Sequence, residues 1–543
     1  MKLIYPVFMF SFVIVSSASA APDTPVFVDD AEQAGVAHTY GGPWEYYVGG
    51  GAAAFDCNSD LKADLFVAGG DNPSQLYVNQ SPTAGSLSFK PAPVKIEPEL
   101  VKNVLGAYAL DINNDGHLDL AVLRLGENLL LKGNGKCEFE VANKQWKFDG
   151  GNAWTTAFSA IWEQGSTFPT LAFGNYVDRE AQGSPWGTCA PHQIHRPASL
   201  SSAAPDYTKT HEIVPGFCTL GMLFSDWDRS GTPSLRITND RHYYRGGEEQ
   251  LVALEKNQAP RQFKRRDGWQ KLQIWGMGIA AHDVDGDGYL EYGLTSMGDT
   301  KIQRLERPRD QEPVYEDMAF AWKATAHRPY TGSDQRPSTG WHIEFQDFNN
   351  DSRADLFIAK GNVEAMPDFA DEDPDNLLIG QANGEFVETG LEAGIAQNTR
   401  GRGAAIADFN LDGMLDIALV NREGRMALWR NQGRQIGPAR FGPIGNHAAI
   451  RLKQSGPNPN GIGSEVRIRV GTRDVSREVL VGGGHAGGTH DWIHFGLGVA
   501  DRVTVRVRWP DGKWGPWKRL FANQYVVIDR DKKDPIIWQP PVH

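Results

Sequence analysis

Long apolar runs are almost missing from this 543-residue chain. The one that exists, Leu3 to Val15, is about thirteen residues, short of the ~20 that a membrane-spanning helix needs. Long runs of Lys and Arg are missing too. With 54 basic against 67 acidic residues the formal charge is −13, which argues against a nucleic-acid partner held through its phosphates. Cysteine is scarce, at four residues. Neither G-x-S-x-G nor H-E-x-x-H occurs, so no nucleophile elbow or zinc-protease helix is encoded locally. Glycine, by contrast, is abundant: 60 residues without a G-X-Y period point to many tight turns and hence many short strands. Hydrophobic residues at 40% and 16 Trp are ample for packed cores and exclude wholesale disorder.

The N-terminus reads as a secretory signal over residues 1–20. Lys2 precedes the apolar run, and Ala18-Ser19-Ala20 is a small-residue cleavage site. No Cys follows that site to accept lipid, so the mature chain is expected to be periplasmic or secreted, without a transmembrane anchor. Four cysteines in an oxidising compartment allow three pairings. Cys189–Cys218 is the expected bridge, stapling a Pro/Ser-rich stretch (178–220) read as an insertion. Cys57 and Cys137 stay open between a second bridge and free thiols, because Cys57 lies inside a candidate ion loop.

An internal repeat dominates the rest. Asp56, Asn58, Asp60 and Asp64 occupy positions 1, 3, 5 and 9 of a loop between two apolar runs. The same frame returns as Asp111, Asn113, Asp115, Asp119, then as Asp283, Asp285, Asp287, Glu291. It returns again as Asp347, Asn349, Asp351, Asp355 and as Asp408, Asn410, Asp412, Asp416. A weaker copy keeps Asp226 and Asp228 but has Ser230 and Ser234, and another, at Trp162, Gln164, Ser166 and Thr170, has lost every acid. The seven first positions lie 51 to 64 residues apart, enough for about four strands each. That is the size of a propeller blade, with a solenoid as the lesser alternative. The segment Val26 to Asp29 resembles the outer strand at Glu385 to Glu388 and is expected to close the last blade.

Alternate residues of a tight loop converge, so positions 1, 3, 5 and 9 present oxygen ligands suited to a hard cation, and glycine at position 6 (Gly116, Gly288, Gly413) permits the turn. The expectation is about five structural Ca²⁺ ions, one on each complete loop, with no catalytic residue. The alternative is that these side chains only cap turns. These units resemble the FG-GAP/VCBS repeats of integrin-α-type seven-bladed propellers. The resemblance implies calcium on the loops and ligand binding or adhesion at the loop face, and puts in doubt the ions of the third and fourth units.

From about residue 446 the pattern changes to alternating strands such as Arg502 to Arg508, reading as a separate antiparallel β domain over 446–535 with a tail at 536–543. The propeller then covers 21–445. Asn460-Gly461-Ile462-Gly463, Arg477-Glu478-Val479, His494-Phe495-Gly496-Leu497-Gly498 and Trp509-Pro510-Asp511-Gly512 together resemble the ASPIC/UnbV domain. A propeller followed by this domain is the layout of the cartilage acidic protein-like family, which implies an exported calcium-binding protein. His485, His490 and His494 form a cluster open to metal binding or to ordinary loop roles. The leading expectation is a non-enzymatic binding, adhesion or assembly protein with a protein or glycan partner. The rival is a lyase- or dehydratase-type enzyme acting on a carbohydrate or secreted metabolite, with Trp44, Trp154, Trp275, Trp341, His282, His342 and Arg402 as candidate groups near the blade starts, and the polar-aromatic run from Asn239 to Tyr244 as a possible pocket wall.

Overall fold

The structure is a computed structural model; it describes residues 23–240, 246–256, 258–325, 339–363, 370 and 373–541. The expected signal sequence over residues 1–20 and Arg241 to Tyr244 fall outside these residues. Secondary structure among the described residues is almost all strand, as expected.

The repeat frame maps onto the strands without a slip. The first strands of the units are Ala52–Phe55, Val104–Leu110, Thr155–Ile161, Thr219–Ser225, Gly276–His282, Gly340–Gln346 and Gly401–Ala407. Position 1 of every loop is the residue that follows, and position 9 opens the second strand, at Asp64, Asp119, Thr170, Ser234, Glu291, Asp355 and Asp416. The frame thus holds even in the unit that lost every acid and in the one that kept only Asp226 and Asp228. Third and fourth strands complete seven four-stranded antiparallel units among the described residues. Consecutive first strands adjoin, and that of the seventh unit adjoins that of the first, so the sheets form a closed propeller ring. Phe27–Asp29 pairs with Ala427–Asn431 as the outer strand of the last blade, the closure expected from the sequence.

The stretch 178–220 is only partly an insertion. It also supplies the third and fourth strands of the third blade, His192–Arg196 and Lys209–Ile213, which break the apolar alternation because the first buries polar residues and the second is largely exposed. Both disulfides are formed. Cys189–Cys218 ties the end of that insertion to the fourth blade, and Cys57–Cys137 ties the first ion loop to the outer hairpin of the second blade.

The C-terminal module is a two-sheet sandwich, with sheets built around Asn446–Lys453 and Glu465–Val470. Alternation in Arg502–Arg508 turns Val503, Val505 and Val507 inward against Ile468, Phe495 and Ile528. No helix among the described residues is long and apolar enough to cross a membrane.

Candidate functional site: the loop face and its cap

Each complete loop is wrapped around its first-position carboxylate. Asp56 accepts the backbone N–H groups of Asp60 and Leu61 at 3.2 and 2.9 Å, and Asp408 those of Asp412 and Gly413 at 3.0 and 2.8 Å. Position 6 is left-handed throughout, whether it is Gly116, Gly288 and Gly413 or Leu61 and Ser352, because the chain must reverse there. The position-9 acid does more than its spacing suggested. One oxygen of Asp64 takes the N–H of Cys57 and the other that of Asn79, both at 2.8 Å, so the carboxylate ties its own loop to the end of the third strand. Asp119, Asp355 and Asp416 repeat this pair of bonds.

These acids are buried and crowded. Burial pushes Asp64 up to about 8 against the pull of its two backbone donors, with Asp60 and Asp56 adding repulsion. Burial likewise raises Asp111 to about 6 and Asp347 to about 7, and lifts Asp119, Glu291, Asp355, Asp408 and Asp416 well above the carboxylate range. In the fifth blade, oxygens of Asp283, Asp285 and Asp287 all lie within 4.8 Å of one another. Such a donor set of hard, mutually repelling oxygens fits a divalent cation.

The C-terminal module sits on this loop face and reads the same carboxylates. Arg451 Nη1 donates to Asp56 at 3.2 Å, Ser476 Oγ to Asp283 at 2.7 Å, and the Tyr525 hydroxyl to Asp408. In the degenerate fourth loop a guanidinium supplies positive charge: Arg508 Nη2 lies 2.9 Å from Asp226, and Arg229 pairs with buried Glu478 at 3.1 Å. In the third, Glu163 takes Arg196 instead.

The module also fills the propeller axis. Val481–Gly482 pairs with the first strands of the third and fourth blades, and Gly488–His490 runs parallel to Ala52–Phe55. Between them Ala486 approaches so closely that a Cβ on Gly51 or Gly106 would stand 1.8 Å from its carbonyl oxygen. The small buried residues Ala52, Ala53 and Ala54 of the first strand let the plug strand approach it closely. His485 is fully buried there. Its ring lies 5.0 Å from that of Trp341, Nε2 accepts from Gly49, and its backbone N–H donates to His342 Nδ1. Burial holds its imidazole down at about 3, hence neutral.

A family model for ASPIC and UnbV matches residues 454–535, and one for the FG-GAP-like repeat matches 56–122 and 347–419. The chain is an FG-GAP-repeat protein with an ASPIC/UnbV domain. Cartilage acidic protein 1 of Mus musculus is 30% identical over 255 residues, 44% of this chain and 34% of that protein. The Xenopus tropicalis protein of the same name is 32% identical over 254 residues, again 44% and 34%. The matched stretch therefore spans about a third of the length of these curated relatives. Among solved structures, the N-terminal part of BBS1 in complex with ARL6 aligns at a TM-score of 0.42 and 9% identity, covering 76% of this chain and 99% of that one. An Agrocybe aegerita lectin solved for recognition of non-reducing terminal N-acetylglucosamine aligns at 0.37 and 14%, covering 68% and 86%.

The motifs that mark the ASPIC/UnbV domain are its docking residues. Glu478 takes Arg229; His494 bonds Asn350 at 2.6 Å; Gly496 packs where a Cβ would stand 2.0 Å from Asp347. The three clustered histidines therefore go separate ways: His485 to the axis, His490 to the strand beside Phe55, and His494 to Asn350 and a stack on His447. The candidate tryptophans are packing groups in part. Trp154 is buried between Trp44 and Tyr176, and Trp341 lies under Arg402 at 4.1 Å, whereas Trp275 stays 39% exposed. A cavity of about 440 Å³ between propeller and module is lined by His282, Glu344, Arg477 and His490, a grouping that single-sequence spacing could not reveal because the residues come from four different strands.

Proposed function

We propose that this FG-GAP, ASPIC/UnbV protein is an exported calcium-binding β-propeller that works by binding or assembly. Five loops would each hold one structural Ca²⁺: Asp56, Asn58, Asp60, Asp64; Asp111, Asn113, Asp115, Asp119; Asp283, Asp285, Asp287, Glu291; Asp347, Asn349, Asp351, Asp355; and Asp408, Asn410, Asp412, Asp416. The observation that carries the reading is the convergence of buried carboxylates, raised by desolvation and mutual repulsion, at one register position in five blades. When bound, the ion supplies charge compensation; the chain's own contribution is the pair of backbone bonds that fixes each position-9 acid. The plugged axis supports a binding role, because it fills the place where a propeller would otherwise offer a central cleft. Both disulfides and the N-terminal sequence support export. The test is metal analysis of the purified mature protein together with anomalous scattering from crystals. About five calcium ions at these loops are expected, and calcium-free loops in calcium-replete buffer would overturn the reading.

A second reading, a lyase-type enzyme, draws on the 440 Å³ cavity. Burial keeps His282 and His490 neutral there, as a general base would be, with the Glu344 carboxylate in the same wall. Turnover of an acidic sugar that His282→Ala abolishes would favour it.

A further inference from the structure

The two blades whose loops depart from the acidic pattern are neighbours, and a second cavity of about 460 Å³ opens between those loops and the Trp509-Pro510-Asp511-Gly512 turn of the C-terminal module. We infer that this cavity is a binding site for a carboxylated sugar residue. The inference rests on the reading of the chain as a binding protein, and not on its ions.

The wall chemistry selects the ligand. Trp162 replaces the first-position aspartate of the third loop and reaches the cavity wall, its Nε1 anchored on the Thr167 carbonyl at 3.1 Å; Trp509 reaches it from the module, and both indoles are otherwise buried, 8% and 5% exposed, so each presents an edge. Sugars pack their C–H faces on such rings. The acids of the wall are already neutralised. Glu163 holds buried Arg196 through two bonds of 2.7 and 3.0 Å, Asp226 holds Arg508 at 2.9 Å, and Glu255 holds Arg261 at 3.1 Å. Two ammonium groups remain, Lys209 and Lys256. Both are exposed, and neither has an ion-pair partner among the described residues. An acidic protein thus offers, at one cavity, spare positive charge on its rim beside two indole edges, with Gln164 and Thr232 able to bond hydroxyl groups. The volume is within the usual range for small-ligand sites. The divergence also has a physical sense: a cation would place its own charge and hydration where the ligand sits, and the third loop has no acid at positions 1, 3, 5 and 9 while the fourth keeps only Asp226, paired with Arg508, and Asp228.

The test is isothermal titration of the full mature chain, in calcium-replete buffer, with D-glucuronic acid, D-glucose and acetate, and with an oligosaccharide ending in glucuronate. Saturable 1:1 binding of glucuronic acid is expected, with glucose and acetate each weaker by about tenfold or more. Lys209→Ala/Lys256→Ala, two exposed positions, should keep the melting temperature and weaken glucuronate by about tenfold. Tighter binding of the oligosaccharide than of the free acid would place the natural ligand at a glycan end; equal binding would make it the monosaccharide. No saturable heat with glucuronate, equal affinity for glucose, or an unaffected double variant would overturn the proposal. Metal analysis of the same sample keeps this outcome separate from the calcium reading.

Discussion

Removing the ions should invert the pH dependence of stability. Asp64 is fully buried, and in the ion-free protein its pKa is raised to about 8, against roughly 3.9 for an unfolded aspartate. A carboxyl raised in this way holds its proton more tightly in the fold. The stabilisation is complete below the unfolded value and is lost as the pH climbs to the folded one. Between pH 8 and pH 6 Asp64 alone should therefore add about 2 kcal/mol to the chelated protein. Asp347, raised to about 7, acts in the same direction. For a chain of this size the two together are a rise of roughly 3 °C in melting temperature on acidification. With calcium present the sign reverses, since the cation favours the ionised carboxylates and protons compete with it. The assay is calorimetry at pH 8, 7 and 6 in EDTA and in calcium. Two parallel series, or a chelated protein that loses stability on acidification, would refute the argument.

Gly51→Val should damage the protein by several degrees of melting temperature, because its Cβ would stand 1.8 Å from the Ala486 carbonyl oxygen; limited proteolysis should then cut between propeller and module. Arg451→Ala should release the module from the first loop and leave Asp491 buried without its cation, costing about 3 kcal/mol in urea unfolding. Removing Cys189–Cys218, whose partners are 29 residues apart, by Cys189→Ala/Cys218→Ala should cost about 3.5 kcal/mol by loop entropy, read as a lower denaturation midpoint with Cys57–Cys137 left intact.

Much of the ring was legible because its signal is local. A carboxylate at position 1 and another at position 9 mark the end of one strand and the start of the next in five units, and the frame they set locates the other two hairpins by spacing. The second role of position 9 was hidden, since Asp64 reaches the backbone of Asn79 fifteen residues on. The third blade was read too short because Lys209–Ile213 alternates exposed and half-buried polar groups and carries little apolar period. The axial plug left a mark that could have been used. Glycines flanking Ala486 and alanines at 52–54 both announce close backbone approach, yet neither names its partner across more than four hundred residues. The two cavities are products of docking and have no counterpart in linear spacing.

The hub at the axis also orders assembly in time. Gly49 bonds to His485 across a separation of 436 residues, so the centre of the ring is built from the last fifth of the chain. Contacts so remote form slowly. A ribosome-bound or translocating chain lays down all seven hairpins before the residues that will sit among them exist. A polypeptide ending near residue 480 would possess every blade strand around a hollow, wettable core, and is expected to persist as a soft intermediate vulnerable to proteases. Maturation is then the arrival of the hub, the event a pulse-proteolysis time course would see last.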